Sequence, residues 1–244
     1  MIDVHEEVLL VAFAIALYVY DSSSLLFANE AILSRNRSEW SIWIGSEASR
    51  FLGKYLFVPN PLAPHRPIYR LLWSSEARPP TTACTNPESE SAKYKLLGLM
   101  VHTMGFALFV LLPIGLLSPL VSKVAAVSTA VLLFYASAFL SLAWIWTHRR
   151  LFLLTDRAAA ALAFECLACP PFAVNLVRRL SLATTIDDDL IDTAQRLLAP
   201  ERWEQLAGEL LAKLSDDIDA EEVGTERMAV LQRRRTLLMQ KRLP

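Results

Sequence analysis

Two long runs in the middle of the chain, Leu96 to Ser122 and Val124 to Thr147, contain no ionised side chain, and only Lys123 separates them. Lipid offers no hydrogen-bond partners, so a segment crossing it forms a helix of about 20 mostly apolar residues. Both runs meet that length, and the pattern predicts two transmembrane helices folded back as a hairpin. A third apolar stretch, Val8 to Tyr20, is too short to span alone. Extended through Asp21 and three serines to Phe27, it reaches about 20 residues. It is read as a first membrane helix, Val8 to Phe27, with an interfacial or re-entrant helix as the other reading.

Between these parts the pattern changes. Glu39 to Gly45, Lys54 to Val58 and Pro67 to Trp73 are short, aromatic and β-branched, and glycine or proline bounds them, which predicts strands of a small sheet. Pro59 to Pro67 is too proline-rich for helix and reads as an extended, rigid loop. Ser74 to Ala92 reads as a linker.

After Thr147 an alanine-rich stretch, Ala158 to Val177, has the length of a fourth span. Glu165 and the Pro170-Pro171 pair argue instead for a helix at the membrane surface or buried in the cytosolic part. The tail reads as amphipathic helices. The first is capped by Thr185 or Asp187 and runs to about Ala199, and Pro200 opens the second, Glu201 to about Leu214. A third covers Asp219 to Leu243. Trp203, Leu206, Leu210 and Leu214 make one apolar stripe on the second. The expected fold is a mainly α membrane protein with three transmembrane helices, a small cytoplasmic insert able to hold a sheet, and a helical cytoplasmic tail. Its parts are 1–28, 29–92, 93–147 and 148–244.

Composition agrees with a membrane protein carrying aqueous parts: 54% of the 244 residues are hydrophobic, and mean hydropathy is +0.34. A net charge of -1 does not fit a uniformly basic nucleic-acid binder. Seven glycines argue against Gly-rich phosphate loops and large β-barrels, and no Gly-rich phosphate motif is present. Three cysteines (Cys84, Cys166, Cys169) form no disulfide framework. Arginine in excess of lysine, with abundant alanine and leucine, points to a GC-rich bacterial genome. The start carries Asp3, Glu6 and Glu7, and its first Lys or Arg is Arg35, unlike the basic head of a signal peptide.

Lysines and arginines near span ends set orientation. Residues 28–95 and the flank Arg149, Arg150, Arg157 are basic, whereas the hairpin turn has only Lys123. The N-terminus is therefore expected outside, with both larger aqueous parts and the C-terminus in the cytoplasm of an inner-membrane protein.

Three constellations are candidates for chemistry. Asp21 and His102 are each expected about 9 Å deep on the cytoplasmic side, from the helical rise, as a proton-relay pair or a polar clamp between helices. Cys166 and Cys169 form a C-x-x-C, suited to thiol redox chemistry, or else two unreactive buried thiols. No further ligands complete a zinc site, and His102 with His148 fits haem poorly because their depths differ. His65 and Arg66 would be the exposed polar contacts of the proline-rich loop. Arg233, Arg234 and Arg235 open a basic end of the tail that either meets anionic lipid or a partner, or pairs with the preceding acidic stretch. No catalytic residue, metal or cofactor is expected. The partners expected are the bilayer and other membrane or cytoplasmic proteins, with homo-oligomerisation open and no nucleic acid.

The function read from the sequence is a membrane-anchored interaction or assembly component, more in keeping with a scaffold than an enzyme. The alternatives are a membrane thiol oxidoreductase using Cys166 and Cys169, and a subunit of an oligomeric transporter using Asp21 and His102.

Overall fold

The computed structural model describes residues 4–27, 29–36, 39–72, 87–118, 122–186, 189–222 and 224–242. The chain is mainly helical, 67%, with a small sheet insert. In order come α1 (Val4–Ser22), β1 (Ser24–Leu26), β2 (Glu30–Asn36), β3 (Glu39–Ile44), β4 (Arg50–Phe51), β5 (Lys54–Phe57) and β6 (Ile68–Leu72). Next are α2 (Pro87–Ala92), α3 (Lys95–Phe106), a π-helical turn (Ala107–Leu111), α4 (Leu112–Leu117) and α5 (Lys123–Thr147). The remainder is α6 (Asp156–Ala168), α7 (Pro170–Val174), α8 (Leu176–Leu182), β7 (Thr185–Ile186), α9 (Leu190–Leu197), α10 (Pro200–Asp219) and α11 (Glu226–Arg242). Two compact units share these elements. One comprises Met1–Leu25, Leu56–Ile68 and Pro87–Thr184, and the other Leu26–Tyr55, Tyr69–Asn86 and Thr185–Pro244.

Among the described residues of the first unit, two segments are long and apolar enough to cross a membrane: Lys95–Leu117, with mean hydropathy 2.0, and Lys123–Thr147, with 1.9. They are the predicted hairpin, and α3 and α4 pack along α5. The first segment is not uniformly α-helical. Pro113 has no N–H to give the carbonyl four residues back, and its ring crowds that carbonyl, so the helix widens into the π turn just before it. Near the hairpin turn the helices approach closely at Gly115, where an added Cβ would lie 2.7 Å from the Ala126 Cβ.

The expected helix from Val8 to Phe27 is corrected at both ends. It starts at Val4 and stops at Ser22, and Ser24–Leu26 is strand. The Ser22 and Ser23 hydroxyls each donate to the Val19 carbonyl, 3.0 and 2.7 Å, a competing local bond that suits a helix end. This helix packs on the hairpin. Glu7 near its start meets Lys123 at the hairpin turn (3.0 Å), and the Tyr18 ring meets Phe109.

The alanine-rich stretch does not form one long helix. It breaks at Cys169, ahead of the two prolines, and again at Asn175, giving α6, α7 and α8. These short helices pack on the hairpin, α6 on α5 and α8 on α3, while α7 touches both α1 and α3. Pro59 to Pro67 is not extended but folded into successive turns. The Asn60 side chain accepts from Leu62 N, its carbonyl from Ala63 N, and the Ala63 carbonyl from Arg66 N.

The second unit is built on a four-stranded sheet of order β3-β2-β6-β7. β2 and β3 pair antiparallel, Ala31 opposite Ile44 through Asn36 opposite Glu39, and β6 pairs parallel with β7. A second, three-stranded sheet has the order β1-β5-β4. The helices follow the expected pattern with shifted ends. Asp189, through its side chain and Ile191 N (2.8 Å), caps α9 in place of Thr185. The helix opened by Pro200 runs on to Asp219. Trp203, Leu206, Leu210 and Leu214 are buried, as their spacing predicts. The helix expected over Asp219 to Leu243 begins at Glu226. Four expectations reach residues outside the described ones: the Asp187 cap, the Trp73 strand end, the Leu243 helix end, and the linker up to residue 86, which includes Cys84. The end of that linker, Pro87–Ala92, is helix α2.

Candidate functional site

The first unit holds a polar network where its apolar helices would otherwise pack dry. Its centre is Arg178 on α8, 2% exposed. The guanidinium donates to Tyr18 Oη on α1 (3.2 Å), to Asn175 Oδ1 one turn back (3.2 Å), and to the Asn60 carbonyl of the proline-rich loop. Tyr18 in turn donates to the Pro61 carbonyl (2.5 Å), and Asn175 Nδ2 donates to the Tyr18 carbonyl (2.9 Å). Every acceptor on Arg178 is neutral, and its Nε is buried without a hydrogen bond. Burial pulls the guanidinium pKa below its ordinary value, and Tyr18 opposes that pull. The network thus ties α1, α8 and the loop to one buried cation.

A second cluster lies alongside. Arg179 faces Asp21 (Nε to Oδ1, 3.9 Å) and donates to Glu165 on α6, its guanidinium over the Phe172 ring. Asp21 Oδ2 is buried with no hydrogen bond of good geometry. On α3, His102 Nδ1 lies 3.0 Å from His65 Nδ1, the two rings edge to face. At that separation one nitrogen carries the hydrogen and the other accepts it. Burial, then His102, Arg66 and Arg178, hold the His65 pKa below the usual histidine value. Gly98 lies against this loop, where an added Cβ would be in van der Waals contact with the His65 carbonyl at 3.4 Å.

The expected Asp21–His102 pair is therefore two separate pairs, Asp21 with Arg179 and His102 with His65. Helical rise fixes depth but not the direction a residue faces, and α7 packs against both α1 and α3. His65 and Arg66 are half-buried rather than fully exposed contacts. His148 does not join His102. Its ring stacks on Trp144 at 3.8 Å, and its Nδ1 lies 2.9 Å from Thr147 Oγ1.

Cys166 is fully buried, Cys169 is half-buried, and both thiols are free. Burial, with Asp21 and Glu165 adding to it against Arg179, pushes the Cys166 thiol up to about 12. It stays protonated at neutral pH, whereas the thiolate is the reactive form. Among the described residues, no group of three or more His, Cys, Asp or Glu is placed to hold a metal ion. In the second unit, Arg234 is buried and paired with Asp189, and Lys241 pairs with Asp192. Arg233 and Arg235 remain exposed. The basic end of the tail is thus partly neutralised by acids at the start of α9.

Arg178 was not singled out by sequence reasoning. The signal available was Asn175-x-x-Arg178 just after a proline break, a spacing that puts both side chains on one helix face. Comparison with known protein families, characterised proteins and solved structures gives no match.

Proposed function

We propose that this chain is a membrane-anchored assembly component, in which α1, the α3–α4 segment and α5 cross the inner membrane. The N-terminus lies outside, and the sheet with α9, α10 and α11 faces the cytoplasm as a platform for other membrane or cytoplasmic proteins. One observation carries the reading: only 28% of each hairpin window is buried, unlike a core helix of an aqueous protein. Val124, Leu132, Phe139 and Leu140 of α5, each at least 58% exposed, make sense against lipid. On α1, Leu9, Phe13 and Tyr20 are exposed in the same way.

The polar pairs support three antiparallel crossings. Glu7, 6% exposed, meets Lys123, so α1 begins at the end of the bundle where the hairpin turns. Asp21, His102 and their partners lie toward the other end, where the basic flanks and Trp146 fit a cytoplasmic interface. The transporter reading keeps one favourable observation, the buried Asp21 oxygen without a hydrogen bond at membrane depth, with Arg179 rather than His102 as its partner.

Crosslinking in native membranes followed by affinity capture tests the assembly role. A defined partner is expected with the wild-type chain, at least several-fold reduced by Arg233→Glu with Arg235→Glu on the exposed face of α11. Recovery of nothing but the chain itself contradicts the reading.

A further inference from the structure

The β4–β5 hairpin turns on two residues, Leu52 and Gly53, with Arg50 opposite Tyr55 and Phe51 opposite Lys54. Both apex residues have positive φ, 49° at Leu52 and 78° at Gly53. Such a turn favours Asn-Gly or Gly-Gly, because a side chain with a bulky Cβ strains in the left-handed region. Leucine therefore suits this position poorly as turn chemistry. It also gains nothing from packing, being 87% exposed, with Phe51 beside it at 58%. Phe27, 52% exposed, adds a third apolar group under the Lys54 ammonium, which lies 4.3 Å from its ring centroid.

Among the described residues, the same backbone feature occurs once more. Leu153 also has a positive φ, 53°, and is 85% exposed. It follows Arg149 and Arg150 just past the end of α5, where the span reading puts the lipid headgroups. A left-handed, solvent-facing leucine beside two cations thus has an internal precedent at the membrane interface. Charge points the same way at the hairpin. Arg50 and Lys54 flank its apex, and no acidic residue occurs between Glu47 and Glu76, in a chain whose net charge is -1. Exposed apolar groups ringed by cations match the chemistry of an anionic lipid surface.

We propose that the Phe51–Leu52 apex inserts into the headgroup layer of an anionic leaflet, with Arg50 and Lys54 against the lipid phosphates. This rests on the membrane-spanning reading, and the test separates the two. A photo-crosslinking diazirine residue replaces Leu52 in one full-length protein and Leu132, mid-way along α5, in another. Each is reconstituted in vesicles of phosphatidylcholine alone or with phosphatidylglycerol, irradiated, and read by mass spectrometry for phospholipid adducts. Position 132 is expected to label in both vesicles. Position 52 is expected to label with phosphatidylglycerol at least about fivefold above phosphatidylcholine alone, the effect of one surface charge. Labelling at 132 but not at 52, equal labelling of 52 in both vesicles, or a protein adduct at 52 overturns the proposal while leaving the spans intact. No lipid adduct at 132 overturns the spans, and the proposal with them.

Discussion

Arg178→Ala is expected to lower the stability of the first unit by about 2–5 kcal/mol, from one orphaned acceptor and a cavity. The acceptor left without a donor is Asn175 Oδ1, while the Asn60 carbonyl keeps its bond from Ala63 N and Tyr18 keeps its own bond to Pro61. Two opposing effects meet here. A buried cation facing only neutral acceptors carries a desolvation cost, which its removal relieves. The Asn175 oxygen, however, stays behind on a fully buried side chain, at a cost of about 1–3 kcal/mol when unsatisfied. Arg178→Met separates these effects, because it keeps the stem volume and removes only the charge and donors. It is expected to destabilise by about 1–3 kcal/mol, the cost of the one unsatisfied oxygen. Arg178→Lys is expected to fall between, since an ammonium does not span three acceptors held in a planar fork. Thermal unfolding of the full chain in detergent reads all three. A methionine variant at least as stable as wild type would show that desolvation outweighs the network.

Gly115→Leu is expected to force α4 away from α5 and to cost several kcal/mol, above the roughly 1–3 kcal/mol of ordinary overpacking. Even the single methyl of Gly115→Ala meets the Ala126 Cβ at 2.7 Å, with Ala126 backbone at 3.4 Å. Close helix approach through small residues is a usual source of membrane packing energy. The local cause can be isolated by compensation. Ala126→Gly is expected to restore most of the stability lost in Gly115→Ala, because it removes the atom that clashes. Detergent melting temperatures of the two single variants and the double variant check this. A double variant no more stable than Gly115→Ala would place the damage elsewhere.

The hairpin was legible in the sequence because its boundaries are written in charge. Its helices begin at Lys95 and Lys123, next to the residues where the apolar runs begin. The strands at Glu39–Ile44, Lys54–Phe57 and Ile68–Leu72 showed through their aromatic and β-branched content. Strand β2 did not. Glu30-Ala-Ile-Leu-Ser-Arg-Asn36 lacks the two-residue alternation of a half-buried strand, because β2 lies inside the sheet between β3 and β6 with its first four residues buried. The polar network was half legible. Asp21 stood out as a charge in an apolar helix, whereas Arg178 looked like the flank of an alanine-rich run. What joins them is the chain break at the two prolines, which turns α7 and α8 back onto α1 and α3. Pattern along the chain gives a residue's depth in a helix, and such returns decide which partner it meets.

The central claim is that lipid surrounds the apolar exteriors of α1, the α3–α4 segment and α5. Washing native membranes with alkaline carbonate tests it most directly, since that treatment strips proteins held by surface contacts and leaves spanning helices in place. The full chain is expected in the membrane pellet, leaving it only when detergent is added. Its appearance in the carbonate supernatant as a monomer without detergent would contradict the account.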